Sequence, residues 1–98
     1  MHSVIIQAIS ERRRLKIVYP PGSRVVEPCA YGSSSEGFGL LRAYQNSGAS
    51  ASGEHEWWKL FRIDRIMAIE LLPEVFDGLR PEYRRNDKAM KRQIFCQL

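Results

Sequence analysis

Cysteine and histidine are scarce: Cys29 and Cys96, His2 and His55, in 98 residues. Two thiols make no disulfide framework, and neither stands in a Cys-x-x-Cys or beside a histidine at ligand spacing, so both read as reduced thiols. A zinc site needs about four converging donors, which these residues do not supply. Equally absent is any run of ~18 apolar residues long enough to cross a bilayer. The first residues lack the basic start, long apolar centre and small-residue cleavage site of a secretory signal. The expectation is a cytoplasmic protein with no membrane partner. Catalytic signatures are missing too: no Gly-x-Ser-x-Gly, no phosphate-binding loop, no Cys/His pair and no framed carboxylate dyad. The chain reads as a non-enzyme without a cofactor.

What is present is the composition of a folded domain: 44% hydrophobic, 10% aromatic and 27% charged residues. At this length the chain is one domain, because two parts could not each bury a core. The net charge of +4 is 15 Lys and Arg minus 11 Asp and Glu, and it is unevenly spread. Residues 1–79 hold nine of each sign. Residues 80–98 hold six basic side chains (Arg80, Arg84, Arg85, Lys88, Lys91, Arg92) against Glu82 and Asp87. This excess is either a solvated helix face or a surface for a polyanion.

Periodicity predicts a helix over residues 3–14, capped by Ser3, with Ile5 and Ile9 one turn apart and Ala8 beside Val4. Arg12, Arg13 and Arg14 then fall in its last turn, where they offset exposed carbonyls or contact phosphate. The period next changes from 3.6 to 2. Strands are predicted over residues 15–19, 24–28, 38–44, 57–64 and 66–72, with a Pro-Pro-Gly-Ser turn after the first and Pro73 ending the last. The small, polar stretch 46–53 reads as a mobile hairpin loop. Beyond Pro73 the chain looks irregular until Asn86 or Asp87 starts a C-terminal helix whose apolar edge is Met90, Ile94, Phe95 and Leu98. That edge covers the protein's own sheet or joins a second subunit as a homodimer interface. Five short strands after a helix predict a small, partly closed antiparallel barrel, since an open sheet leaves unprotected edges. Alternation places Leu41, Ala43, Phe61 and Ile63 inside, and Arg42, Tyr44, Arg62 and Asp64 outside.

Three blocks then stand in order at hairpin spacing: Arg24-Val25-Val26-Glu27-Pro28, Leu41-Arg42-Ala43-Tyr44-Gln45 and Phe61-Arg62-Ile63-Asp64-Arg65-Ile66. Together they resemble the WYL domain, a bacterial Sm-like barrel with Arg-x-Val-x-Pro, Trp-Tyr-Leu-x-Ala-Tyr and Phe-Arg-Leu-Asp-Arg-Ile strands. The resemblance covers residues 4–72. The basic extension 73–98, with Pro81-Glu82-Tyr83 leading to Asn86-Asp87-Lys88-Ala89-Met90, is similar to that of short stand-alone members and belongs to the same domain. One departure matters: the naming triplet falls at Gly39, Leu40 and Leu41, so only its leucine is kept and the tyrosine hydroxyl is lost.

The resemblance implies a mostly β, Sm-like five-stranded barrel with a helix at each end. It also implies a regulatory, ligand-sensing module with a basic groove for nucleic acid or a nucleotide-like anion. Such modules accompany transcription regulators, helicases or phage-defence systems. The candidate site is Arg24, Arg42, Tyr44, Lys59, Arg62 and Arg65. Arginine's planar fork matches phosphate oxygens two at a time, and Tyr44 or Trp58 offers a ring to a base. Arg65 lies three residues past Arg62 and points the opposite way unless a bulge re-aims it. No helix-turn-helix fits the strand-patterned middle, so any DNA reading falls to a partner chain. The rival reading is a protein-interaction scaffold without its own ligand.

Overall fold

The apolar stripe of the N-terminal segment forms helix α1 (His2–Glu11), which buries Ile5, Ala8 and Ile9. These coordinates are a computed structural model describing residues 1–98. The helix begins one residue before Ser3 and has no side-chain cap. It ends earlier than residue 14. Arg12 takes the left-handed conformation at φ 52°, and its N–H turns back onto the carbonyls of Ala8 and Ile9. The arginine triplet is therefore not a helical last turn; Arg13 already opens a strand.

Six strands follow: β1 (Arg13–Tyr19), β2 (Gly22–Ser33), β3 (Gly39–Gly48), β4 (Trp57–Arg62), β5 (Ala68–Val75) and β6 (Gln93–Gln97), with a 3-10 turn at Ile63–Arg65. All pair antiparallel in one sheet of order β4-β3-β2-β1-β5, and β6 adds to β2. The protein is thus mostly β with one N-terminal helix. β2 is the organising strand. Its first half pairs with β1 and its last residues, from Ala30, pair with β6, while β3 runs along its other edge. The register shifts between Pro28 and Ala30, a bulge where proline has no N–H to give the ladder.

Leu15, Ile17, Val26, Leu41, Ala43 and Phe61 meet α1 in the core. The interior assignment of Leu41, Ala43 and Phe61 holds; Ile63 lies in the 3-10 turn and is only partly buried. The sheet is open, because β4 and β5 share no ladder. Tyr19 spans part of that gap: its ring packs edge-on to Phe61 at 4.9 Å and its hydroxyl accepts the Arg62 N–H at 3.3 Å. Tyr19→Phe is expected to lower stability by about 1 kcal/mol, read by urea unfolding, since one half-buried N–H loses its acceptor.

Two expectations at the C-terminal end are overturned. Pro73 does not end the fifth strand, which runs on to Val75. It falls where the β1–β5 register shifts between Leu71 and Val75, so no ladder donor is demanded of it. The C-terminal helix is absent. Asp87 forms a single capped turn, its carboxylate accepting the Ala89 N–H at 3.0 Å, and the chain then becomes β6. The physical reason is the edge of β2 from Ala30 to Ser33, whose backbone groups find their partners in Gln93–Gln97. The expected interface edge therefore lies on the protein's own sheet. Met90 is buried with Ala30 and Leu40, with Ile94 packed on them; Leu98 packs on the main core. Phe95, 39% exposed, meets the rings of His2 and Tyr31. Finally, β3 continues through Gly48, so the hairpin loop is shorter than residues 46–53.

Candidate functional site

Register across β3 and β4 decides what shares their outer face. Tyr44 lies opposite Trp58, Arg42 opposite Leu60 and Leu40 opposite Arg62. The segment after β5 runs back over this face. The Arg80 guanidinium sits 3.5 Å from the centroid of the Tyr44 ring. Tyr83 stacks on Trp58, with ring centroids 6.0 Å apart and planes 20° from parallel. Asp87 grips Arg42, with Oδ2 2.6 Å from Nε and Oδ1 3.3 Å from Nη2, and Met90 reaches Leu40.

Between this segment and the two strands lies a cleft of about 630 Å³. Its walls are Arg42, Trp58, Glu82, Tyr83, Arg84, Arg85, Asn86, Asp87 and Lys88, four cations against two carboxylates. Both carboxylates are engaged, Asp87 by Arg42 and Glu82 by the Trp58 Nε1–H at 3.0 Å. Arg84 donates only to the carbonyls of Pro81 and Tyr83, and Arg85 to that of Leu98. No side-chain carboxylate pairs with Arg84, Arg85 or Lys88. Burial pushes the Asp87 pKa up, but hydrogen bonds from Arg42 and the Ala89 N–H, with the Arg42 charge, leave it below the ordinary aspartate value.

The segment is anchored beside the cleft by Glu27. Its buried carboxylate receives both Arg80 donors at 3.1 Å, the Asn46 amide at 2.8 Å and Arg14 at 3.4 Å. Burial raises the Glu27 pKa, yet hydrogen bonds from Arg80 and Asn46 and the charges of Arg80 and Arg14 outweigh it, so the group titrates low. Cys29, nearby, is buried and further pushed up by the Glu27 charge to about 12, a protonated and inert thiol.

The structure does not gather the six expected site residues into one groove. Arg42 alone lines the cleft, and its fork is already held. Arg24 is 4% exposed and donates to the carbonyls of Tyr19 and Pro20 and to Gln45, so it is a packing residue rather than a ligand contact. Burial holds its pKa below the usual arginine value, with a smaller opposite effect from Tyr19. Tyr44 is buried beneath Arg80. Lys59 shares the face of Ala43 and binds Ser50 and Ser52 at 3.2 Å. Arg62 is on the outer face but chelates Asp64 at 3.1 and 2.7 Å and lies over Phe38. Arg65, in the 3-10 turn, is exposed and flanks Tyr19 instead.

What reading by strand motifs missed is Tyr83, Arg84, Arg85 and Lys88. The signal was the charge count, since the whole basic excess falls after residue 79. No three metal-ligating side chains converge, and no helix is long and apolar enough to cross a membrane. No family model, curated protein or solved structure matches the chain.

Proposed function

We propose that this chain is a non-enzymatic, ligand-sensing module that binds single-stranded nucleic acid or a nucleotide-like anion in the cleft between the 80–88 segment and the β3–β4 face. It acts with a partner such as a transcription regulator or a defence protein. The observation that carries this reading is three cations held by no side-chain carboxylate, Arg84, Arg85 and Lys88, beside the Trp58–Tyr83 stack. Cations that follow phosphates and rings that receive bases are the two elements of sequence-tolerant single-strand binding. An N-terminal helix on a sheet of order β4-β3-β2-β1-β5, with Tyr19 reaching from β1 to β4, supports a small Sm-like barrel of the WYL kind. The ligand site is carried by the extension rather than by the three motif strands.

The test is titration of a labelled oligothymidylate, and separately a cyclic nucleotide, at several salt concentrations. Wild type is expected to bind with steep salt dependence. Arg84→Ala/Arg85→Ala/Lys88→Ala is expected to flatten the slope of log K against log salt by about 2, at ~0.7 per phosphate contact. Trp58→Ala is expected to weaken binding about tenfold with little change in slope, since it removes stacking and no charge. Salt-insensitive binding, or none by either probe, overturns the proposal.

A further inference from the structure

Resting on that reading, we infer that Asp87 is an internal occupant of the ligand site: its carboxylate holds the Arg42 fork that a ligand phosphate takes, so the two compete for the same pair of donors. Arg42 presents Nε and Nη2 to Asp87 at 2.6 and 3.3 Å, the two-point geometry with which guanidinium also binds phosphate. Both side chains line the cleft, and the Asp87 side chain is only 10% exposed. The pair is therefore less screened by salt than a surface pair, and it occupies the one half-buried cation of the cleft while Arg84, Arg85 and Lys88 are exposed.

The neighbouring pair shows what a purely structural lock looks like. Glu27 is surrounded by donors from Arg14, Asn46 and Arg80, and losing one leaves it still satisfied by the others. Asp87 has one side-chain partner, Arg42, and beyond that only the Ala89 N–H of its own turn. Release of Arg42 thus leaves Asp87 capped within its turn, while the freed fork gains a phosphate. The carboxylate is aimed by a clamp next to it. Asn86 sits in the left-handed region at φ 59°, and its N–H and side-chain oxygen are held by Gln97 of β6 at 2.9 and 3.1 Å. The occupant is thereby coupled to the docking of β6.

The experiment compares wild type, Asp87→Asn, Arg42→Gln and the double variant with labelled oligothymidylate across salt. Asp87→Asn keeps the turn's acceptor and removes the charge. It is expected to bind about tenfold tighter, with a slope steeper by about 0.7 because one more cation meets phosphate. Both gains are expected to vanish when Arg42 is also Gln. Asp87→Ser, which still offers the Ala89 N–H an oxygen, gives the same readout if the amide variant does not fold. Unchanged affinity in the Asp87 variants, or a gain that persists without Arg42 and so reflects net charge alone, overturns the inference while leaving the cleft reading intact. Absence of salt-sensitive binding in wild type and variants alike overturns the cleft reading and the inference with it.

Discussion

Glu27→Ala is expected to lower the unfolding free energy by about 3 kcal/mol, and the melting temperature by roughly 12–24 °C, at about 4–8 °C per kcal/mol for a domain of this size. The reason is what the carboxylate leaves behind. Its side chain is 5% exposed, whereas Arg14 and Arg80 are about one-third exposed, at 34% and 35%. Removing it strands two guanidinium groups against each other and deprives the Asn46 amide of its acceptor. The Arg14 Nε, already buried without a partner, gains none. Water relieves part of this through the exposed ends of both arginines, which holds the estimate at the lower end for a broken buried pair. Glu27→Gln, retaining one acceptor, is expected to cost less. Thermal melting followed by circular dichroism gives both values.

The same carboxylate sets an acid limit. Glu27 and Asp87 both titrate below their ordinary values in the folded protein, so protons bind more tightly to the unfolded chain. Their stabilisation is fully present above the unfolded carboxylate range of about 4. It is lost as pH falls through the lower folded values. Stability at fixed urea is expected to be flat near neutrality and to decline below about pH 4, less steeply in Glu27→Gln. A decline at the same rate in that variant would remove Glu27 as a cause.

The core of the sheet was legible because alternation is a local property. Leu41, Ala43 and Phe61 are fixed by the pleat once β3 and β4 pair, whatever else the chain does. The same rule places Arg24 inward, since it is two residues from fully buried Val26. Its arginine identity made it look like a ligand contact, but the carbonyls of Tyr19 and Pro20 and the side chain of Gln45 arrive from elsewhere in the sequence and satisfy it. The C-terminal strand was illegible for a different reason. Met90, Ile94 and Leu98 recur every four residues as on a helix, yet Ile94, Cys96 and Leu98 also alternate as on a strand. Only the unpaired end of β2 chooses between these periods, and that edge exists because β1 leaves β2 after Val26. Arg42 was placed on the correct face, but its partner Asp87 is 45 residues away, beyond any pattern along the chain.

That dependence on β2 yields the other large effect, at Gly32. This residue pairs with Ile94, and β6 lies against its backbone. A Cβ added there falls on the Gln93 carbonyl oxygen and approaches the Met90 sulfur at 3.0 Å and the Ile94 Cα at 3.1 Å. The sulfur can swing aside; a carbonyl oxygen and a Cα of a paired strand cannot. Gly32→Ala therefore forces β6 to lift, undoing its ladder and loosening Met90 from Ala30 and Leu40. The expected cost is about 2–3 kcal/mol, the range for overpacking where the backbone must move. It is also expected to be local: trypsin cuts faster after Arg84, Arg85 and Lys88, and the Ala30–Ser33 end of β2 loses exchange protection, while amides of β1, β3 and the part of β2 before Ala30 keep theirs. Gly78→Ala, where an added Cβ meets nothing within 4 Å, is the control and is expected to behave as wild type. Lifting β6 also releases the Gln97 clamp on Asn86, a residue that lines the cleft. Oligothymidylate binding is accordingly expected to fall steeply in Gly32→Ala, even though Arg84, Arg85 and Lys88 remain in the chain. Retained binding in that variant would show that the cations act as a flexible basic segment and that the cleft's shape contributes nothing.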